Sequence, residues 1–239
     1  IDYCHNYTVN HDNQNIEQLV SWDVSDMLVN YGLVCGSVTI GGESGDDNTK
    51  LSADKDLLKK SLTEFVKLRN EFGIVRTETT LDSCADLFAQ GKLAYTITDV
   101  SHLNTIAESG ISYGVCSIPA LSDDMQIENI SENLCAFVNP YSSDVQTAKA
   151  VANAMSYDYA AAVNSTTGLL SSRTISINSK EYKDTYGKIY EIYSKADDKA
   201  KFMGAAYFYT KFDIMLHQVW DGTDIETSVN SFLSELKVQ

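Results

Sequence analysis

Apolar side chains recur every three or four positions along most of this chain, and each such stretch predicts an amphipathic helix. Ile16, Leu19, Val20, Val24, Met27 and Leu28 set the first, with Gly32 as its stop. Leu58, Leu62, Phe65, Leu68 and Phe72 stripe a longer one, with Ser52 as N-cap and Gly73 at the end. Leu81, Ala85 and Phe88 share a third face, between a Thr80 cap and the left-handed stop of Gly91. Val145, Ala148, Val151, Ala152 and Met155 follow a Ser142 or Ser143 cap, and Tyr157 to Val163 continues as a short helix. Tyr182, Tyr186, Ile189, Tyr190 and Tyr193 line a helix from about residue 179 to about 195. Phe208, Phe212, Met215, Leu216 and Val219 line the next, broken at Asp221-Gly222. Thr223 with Glu226 predicts a capping box for the last helix, buried through Ile225, Val229, Phe232, Leu233 and Leu236.

The period changes to two at Leu93, Tyr95 and Ile97, which predicts a strand. A second strand is expected to end at Pro119, and Leu134 to Asn139 reads as a buried strand closed by Pro140. Leu33 to Ile40 is a short apolar run rich in β-branched residues. Gly41 to Lys50 reads as a polar turn-forming loop, Leu121 to Asn133 as an exposed acidic connection, and Thr167 to Arg173 as an extended return. About four strands among roughly eight helices make the class α/β with helix in excess.

The turn after the Leu93–Ile97 strand, Thr98-Asp99-Val100-Ser101-His102, opens the next predicted helix and so presents unpaired backbone N–H groups. Ligands of open α/β sheets bind at this kind of place, outside the carboxyl end of a strand. The net charge of −15 repels nucleic-acid phosphates, which argues against DNA or RNA as a partner. No run approaches a membrane span, and no signal peptide is visible at the Ile1 start, which suggests a processed or truncated product. The cysteines at 4, 35, 84, 116 and 135 form no CxxC and no zinc spacing, so they are expected to be small buried hydrophobes and no metal site is predicted. A Cys116–Cys135 disulfide is the competing arrangement.

Catalytic patterns are missing too. There is no G-x-S-x-G elbow, no Walker A motif and no G-x-G-x-x-G fingerprint, so no catalytic residue and no cofactor is assigned. Acidic pairs such as Asp46/Asp47 and Asp123/Asp124 read as solvated loops. The 14 tyrosines and two tryptophans suit sugar recognition, in which aromatic faces stack on a pyranose ring while carboxylates bind its hydroxyls.

The order of motifs resembles the solute-binding proteins of bacterial sugar ABC transporters, of the maltose-binding type. The resemblance is carried by Trp22 to Gly32, the helix from Asp54 to Phe72, Phe88-Ala89-Gln90-Gly91-Lys92-Leu93-Ala94, Tyr113-Gly114-Val115-Cys116-Ser117-Ile118-Pro119, and Gly222 to Val229. It implies a periplasmic-binding-protein-like (type II) C-terminal lobe, helix-rich, together with the returning part of an N-terminal lobe. Residues 1–115 would begin the C-terminal lobe, 116–175 would belong to the incomplete N-terminal lobe, and 176–239 would return to C-lobe helices. The first half of that N-terminal lobe is absent, so the chain looks like a truncated fragment that exposes apolar surface unless it dimerises or swaps.

The function this implies is non-catalytic capture of a neutral sugar or oligosaccharide outside the cell, for delivery to a membrane permease. The protein would be periplasmic or a membrane-anchored lipoprotein. Trp22 and Tyr209 are the expected stacking platforms, Asp99 and Ser101 the hydroxyl-binding groups, and Tyr207 and His102 further candidates. Arg173 would cap a neighbouring helix or line the cleft. Where members of the family often place a stacking Trp, this chain has Val100 to Leu103. The rival readings are a carbohydrate-active hydrolase and an interaction domain that binds no sugar.

Overall fold

A computed structural model describes residues 15–122, 125, 127, 129–171 and 180–236, the side chains of 180–183 excepted. The first apolar stretch is not one helix. It opens as strand β1 (Gln18–Trp22) and becomes helical only at α1 (Met27–Val34). Asp26 caps α1 by accepting the amide hydrogen of Val29, and Gly32 lies inside the helix rather than at its stop. The turn between the two elements is made by Asp23, whose carboxylate accepts from the amide of Ser25.

A hairpin follows, in which β2 (Val38–Gly41) runs antiparallel to β3 (Asp47–Ala53) with Ile40 opposite Leu51. The polar loop expected over 41–50 therefore shrinks to a tight turn. Gly41 holds φ +79°, and a β-carbon there would lie 2.8 Å from the backbone of Gly45. Only glycine fits. Helix α2 (Lys55–Phe72) is capped by Asp54, two residues beyond the expected Ser52, and ends on left-handed Gly73 as predicted. Helix α3 (Leu81–Ala89) begins on a capping box between Thr80 and Ser83. It turns at Gly91 into β4 (Leu93–Ile97), which lies parallel to β1 with Val20 opposite Tyr95 and Trp22 opposite Ile97.

A single 3₁₀ turn, Val100–His102, leads into α4 (Leu103–Glu108). The strand expected to end at Pro119 does not form: residues 111–120 pair with no strand. Strand β5 (Ile130–Ser131) is only two residues long and pairs with β6 (Asp197–Asp198). The buried strand expected at Leu134 to Asn139 does not form either: the segment pairs with no strand and is largely exposed, because nothing among the described residues covers it; Phe137 is 89% exposed. Helix α5 (Val145–Asn153) is capped by Asp144 rather than by either serine. It passes through one π-helical turn into α6 (Ala160–Thr167).

The chain then forms α7 (Lys180–Tyr193), α8 (Ala205–Trp220) and α9 (Ile225–Leu236). The Thr223–Glu226 capping box is not the one used. Asp224 accepts the amide hydrogen of Thr227, while Glu226 pairs with Lys55 and Lys59 of α2.

The main core lies where α2, α8 and α9 meet α1 and β1. Phe65, Phe208, Phe212, Phe232, Trp22 and Trp220 are essentially removed from solvent there. Burying one such ring contributes about 1.5–3 kcal/mol, and the edge-on contacts add geometric preference, Phe212 to Phe232 at 5.4 Å among them. A smaller cluster gathers Leu103, Tyr186 and Ile189, with Val100, Tyr113 and Leu170 beside them. By contrast, among the described residues the apolar stripe of α5 has little to pack on. Val151 and Met155 are exposed and, with Ala136, Phe137, Ala148 and Ala152, line an open groove of about 400 Å³. Cys35 and Cys84 are buried as expected. Cys116 and Cys135 are free and exposed, which departs from both expectations for that pair.

Candidate functional site

The parallel pairing of β1 with β4 puts the carboxyl ends of both strands side by side, and three acidic residues gather there. Asp23 follows β1 and accepts from the amide of Leu81, the first residue of α3. Asp82 stands in the first turn of α3, where a carboxylate is favoured by the helix dipole. Asp99 follows β4. Because α3 runs back along β4 through the Gly91 turn, its beginning returns to the strand's end. The sequence reading missed Asp23 and Asp82. Their signal was present, since a helix that turns directly into a strand must start beside that strand's far end.

The loop itself is tightly self-bonded. Asp99 Oδ1 accepts from the Ser101 amide at 2.8 Å, the Ser101 hydroxyl at 2.5 Å and His102 Nδ1 at 3.1 Å. Oδ2 of this half-exposed carboxylate has no such bond among the described residues. Burial pushes the Asp99 carboxyl up, but the bonds from Ser101 and His102 outweigh it and hold the group below the ordinary carboxylate value. His102 Nε2 meets Asp82 Oδ1 at 2.9 Å. Of the sequence candidates, Asp99, Ser101 and His102 thus form one unit. Behind it the chain is packed closely. Gly168 ends α6 at φ +72°, where a β-carbon would lie 2.5 Å from the carbonyl oxygen of Val100, and Asn104 donates to Ser165.

The two expected stacking platforms are core residues instead. Trp22 is 1% exposed; its indole N–H donates to Asn30, whose amide donates in turn to the carbonyl of Val24. Its ring meets Trp220 edge-on at 5.8 Å. Tyr209 is 5% exposed and its hydroxyl accepts from the amide of Ala200. Neither ring has a face left for a sugar. The reason is helical: Ala205, Phe208, Tyr209, Phe212, Met215, Leu216, Val219 and Trp220 make one continuous buried stripe on α8. Tyr207 lies off that stripe, 40% exposed, with the Lys211 ammonium 5.3 Å from its ring centre. Arg173 falls outside the described residues. Among those described, no group of three or more His, Cys, Asp or Glu residues could hold a metal ion, and no helix is long and apolar enough to cross a membrane.

No family model matches the sequence, and no curated protein matches it. Solved structures do match the fold. The Thermus thermophilus maltotriose-binding protein, bound to maltotriose, superposes with a TM-score of 0.69 over 92% of this chain at 14% identity. A cyclo/maltodextrin-binding protein complexed with maltotetraose does so with 0.67 over 100%, at 16% identity. The maltose/maltodextrin-binding domain MalE of Bdellovibrio bacteriovorus, bound to maltotriose, gives 0.68 over 97%, at 12% identity. The chain has the periplasmic-binding-protein-like fold. It spans 60% to 64% of those neighbours' own chains. At this identity the likeness concerns fold alone. The three neighbours are sugar-binding proteins.

Proposed function

We propose that this chain captures a neutral oligosaccharide outside the cell and belongs to a solute-binding protein that delivers it to an ABC-transporter permease. One observation carries the reading: nearly the whole chain follows the fold of proteins solved with malto-oligosaccharides. The corner after β4 offers polar groups of the kind that bind sugar hydroxyls, and Tyr207 offers an aromatic ring with open surface. In this reading Tyr207 replaces Trp22 and Tyr209 as the stacking group. Asp99 and Ser101 take hydroxyls, with His102 beside them.

The uncovered apolar face of α5 fits the same proposal. In a two-lobed protein, residues 116–175 would belong to the second lobe and pack against its remainder. Among the described residues, Phe137, Val151 and Met155 stand exposed, and such a face favours self-association when nothing covers it.

Thermal unfolding with maltose, maltotriose, maltotetraose and unrelated disaccharides tests the proposal, since a ligand that binds only the native state raises Tm. The expected result is a rise with at least one oligosaccharide that Tyr207→Ala abolishes without lowering the ligand-free Tm. Release of smaller sugars on incubation would instead assign a hydrolase. A flat response in a chain that includes a complete second lobe would assign an interaction domain.

A further inference from the structure

The ring of His102 lies between two carboxylates that come from different elements. Nε2 faces Asp82 of α3 at 2.9 Å, and Nδ1 faces Asp99 of its own loop at 3.1 Å. A neutral imidazole has one N–H and one lone pair, so it satisfies only one of them and turns a lone pair on the other. Only the doubly protonated ring donates to both. The ring is also only 14% exposed by side chain, so the pairing is partly shielded from water.

We propose that His102 is a pH-operated tie, whose doubly protonated ring holds the loop after β4 against the start of α3 and whose loss of one proton to water releases the Asp82 arm. The arms differ in anchoring. Asp99 is held by the amide and hydroxyl of Ser101 whatever the state of the ring. The Asp82 side chain is 91% exposed and has only the imidazole to hold it there among the described residues. Deprotonation therefore keeps Nδ1–H on Asp99 and leaves the Nε2 lone pair facing Asp82, which swings into solvent.

Among the described residues, the groups that can set this titration are few. Asp82 acts from α3 and Asp99 from the loop itself. The cluster behind Val100 brings Leu103 from α4 and the phenols of Tyr186 and Tyr190 from α7, whose hydroxyls donate to the carbonyls of Gly168 and Ser171. Burial by itself would lower the His102 pKa, but the bonds and charges of the two carboxylates outweigh it and raise it. A raised folded value means that the tie is complete below the ordinary histidine range and fades as pH rises through the His102 midpoint.

The test needs no ligand, so it stands apart from the solute reading. Nitrogen-15 spectra of the four histidines, with His102 assigned through His102→Gln, follow both ring nitrogens across pH, and amide spectra follow residues 81–84 and 99–103. The expected result is a His102 midpoint above the ordinary histidine value, with both nitrogens protonated below it and the amides of 81–84 titrating in step. Asp82→Asn, an exposed change that leaves the fold intact, should lower the midpoint and silence the response of 81–84 while 99–103 still respond. A midpoint at or below the ordinary value, or an Asp82→Asn protein that titrates like the parent, would overturn the proposal. If the tie titrates as expected and no sugar binds at any pH, the solute reading fails and the tie stands.

Discussion

Replacing Trp22 by Phe separates a core role from a ligand-binding one. The indole N–H is the donor to Asn30 Oδ1 at 3.0 Å, and Asn30 is fully buried. Phenylalanine keeps an aromatic ring beside Trp220 but strands that amide oxygen, at a cost of about 1–3 kcal/mol. The smaller ring leaves a void of roughly 40 Å³, which adds about 1 kcal/mol at about 24 cal/mol per Å³. The sum is about 2–4 kcal/mol, or a fall in Tm of about 5–15 °C for a chain of this length. Urea unfolding followed by circular dichroism should show the lower midpoint with an unchanged slope. Asn30→Ala supplies the other edge of a double-mutant cycle. Because both single changes break the same bond, the double variant should cost less than their sum, by about 0.5–3 kcal/mol. Stability within about 0.5 kcal/mol of the parent, or strict additivity, would refute the burial argument. If sugar binding were lost at the same time, Trp22 would be a ligand platform after all.

Three further outcomes follow from particular contacts. Tyr209→Phe removes the acceptor of the buried Ala200 amide and should cost about 1–3 kcal/mol in urea unfolding, whereas Tyr207→Phe on the exposed face should stay within about 0.5 kcal/mol of the parent. Gly168→Ala combines a left-handed backbone, worth about 1–2 kcal/mol, with a β-carbon driven against Val100, so its Tm should fall and hydrogen exchange across 99–104 should rise. Hydrogen bonds from Lys55 and Lys59 hold the Glu226 carboxyl at about 2, against an ordinary 4.5. The sign is that of a depressed acid: its contribution is present above about pH 4.5 and is lost as pH falls toward 2. Glu226→Gln should therefore flatten the acid limb of a Tm-against-pH curve, and an unaltered limb would show that this exposed pair contributes nothing.

Helices were legible because their signal is local. The stripe Leu58, Leu62, Phe65 and Leu68 needs only one buried face, and any packing partner satisfies it. Caps were legible to within a residue or two, because Ser52 and Asp54, Ser143 and Asp144, or Thr223 and Asp224 all bear a suitable acceptor. Which one is used depends on where the chain enters. The return of α3 toward the end of β4, and with it the polar corner at 99–102, was also written locally in Thr80, Gly91 and the alternation of Leu93 to Ile97.

The sequence alone therefore determined most of the amphipathic helices, the glycine stops at Gly73 and Gly91, and the position of the polar turn after β4. Tertiary structure decided what depended on distant partners. Gln18–Trp22 is a strand because Leu93–Ile97 lies parallel beside it, seventy-odd residues away, and in so short a segment the helical spacing of its apolar residues could not reveal that pairing. Leu134–Asn139 carries the composition of a buried strand yet stays exposed, because burial belongs to whatever covers a segment and not to the segment itself. Tyr207 and Tyr209 divide for the same reason. Two positions apart on a helix they point well away from each other, and only the packing of α8 against Tyr31 and Ala200 decides which ring remains open to solvent.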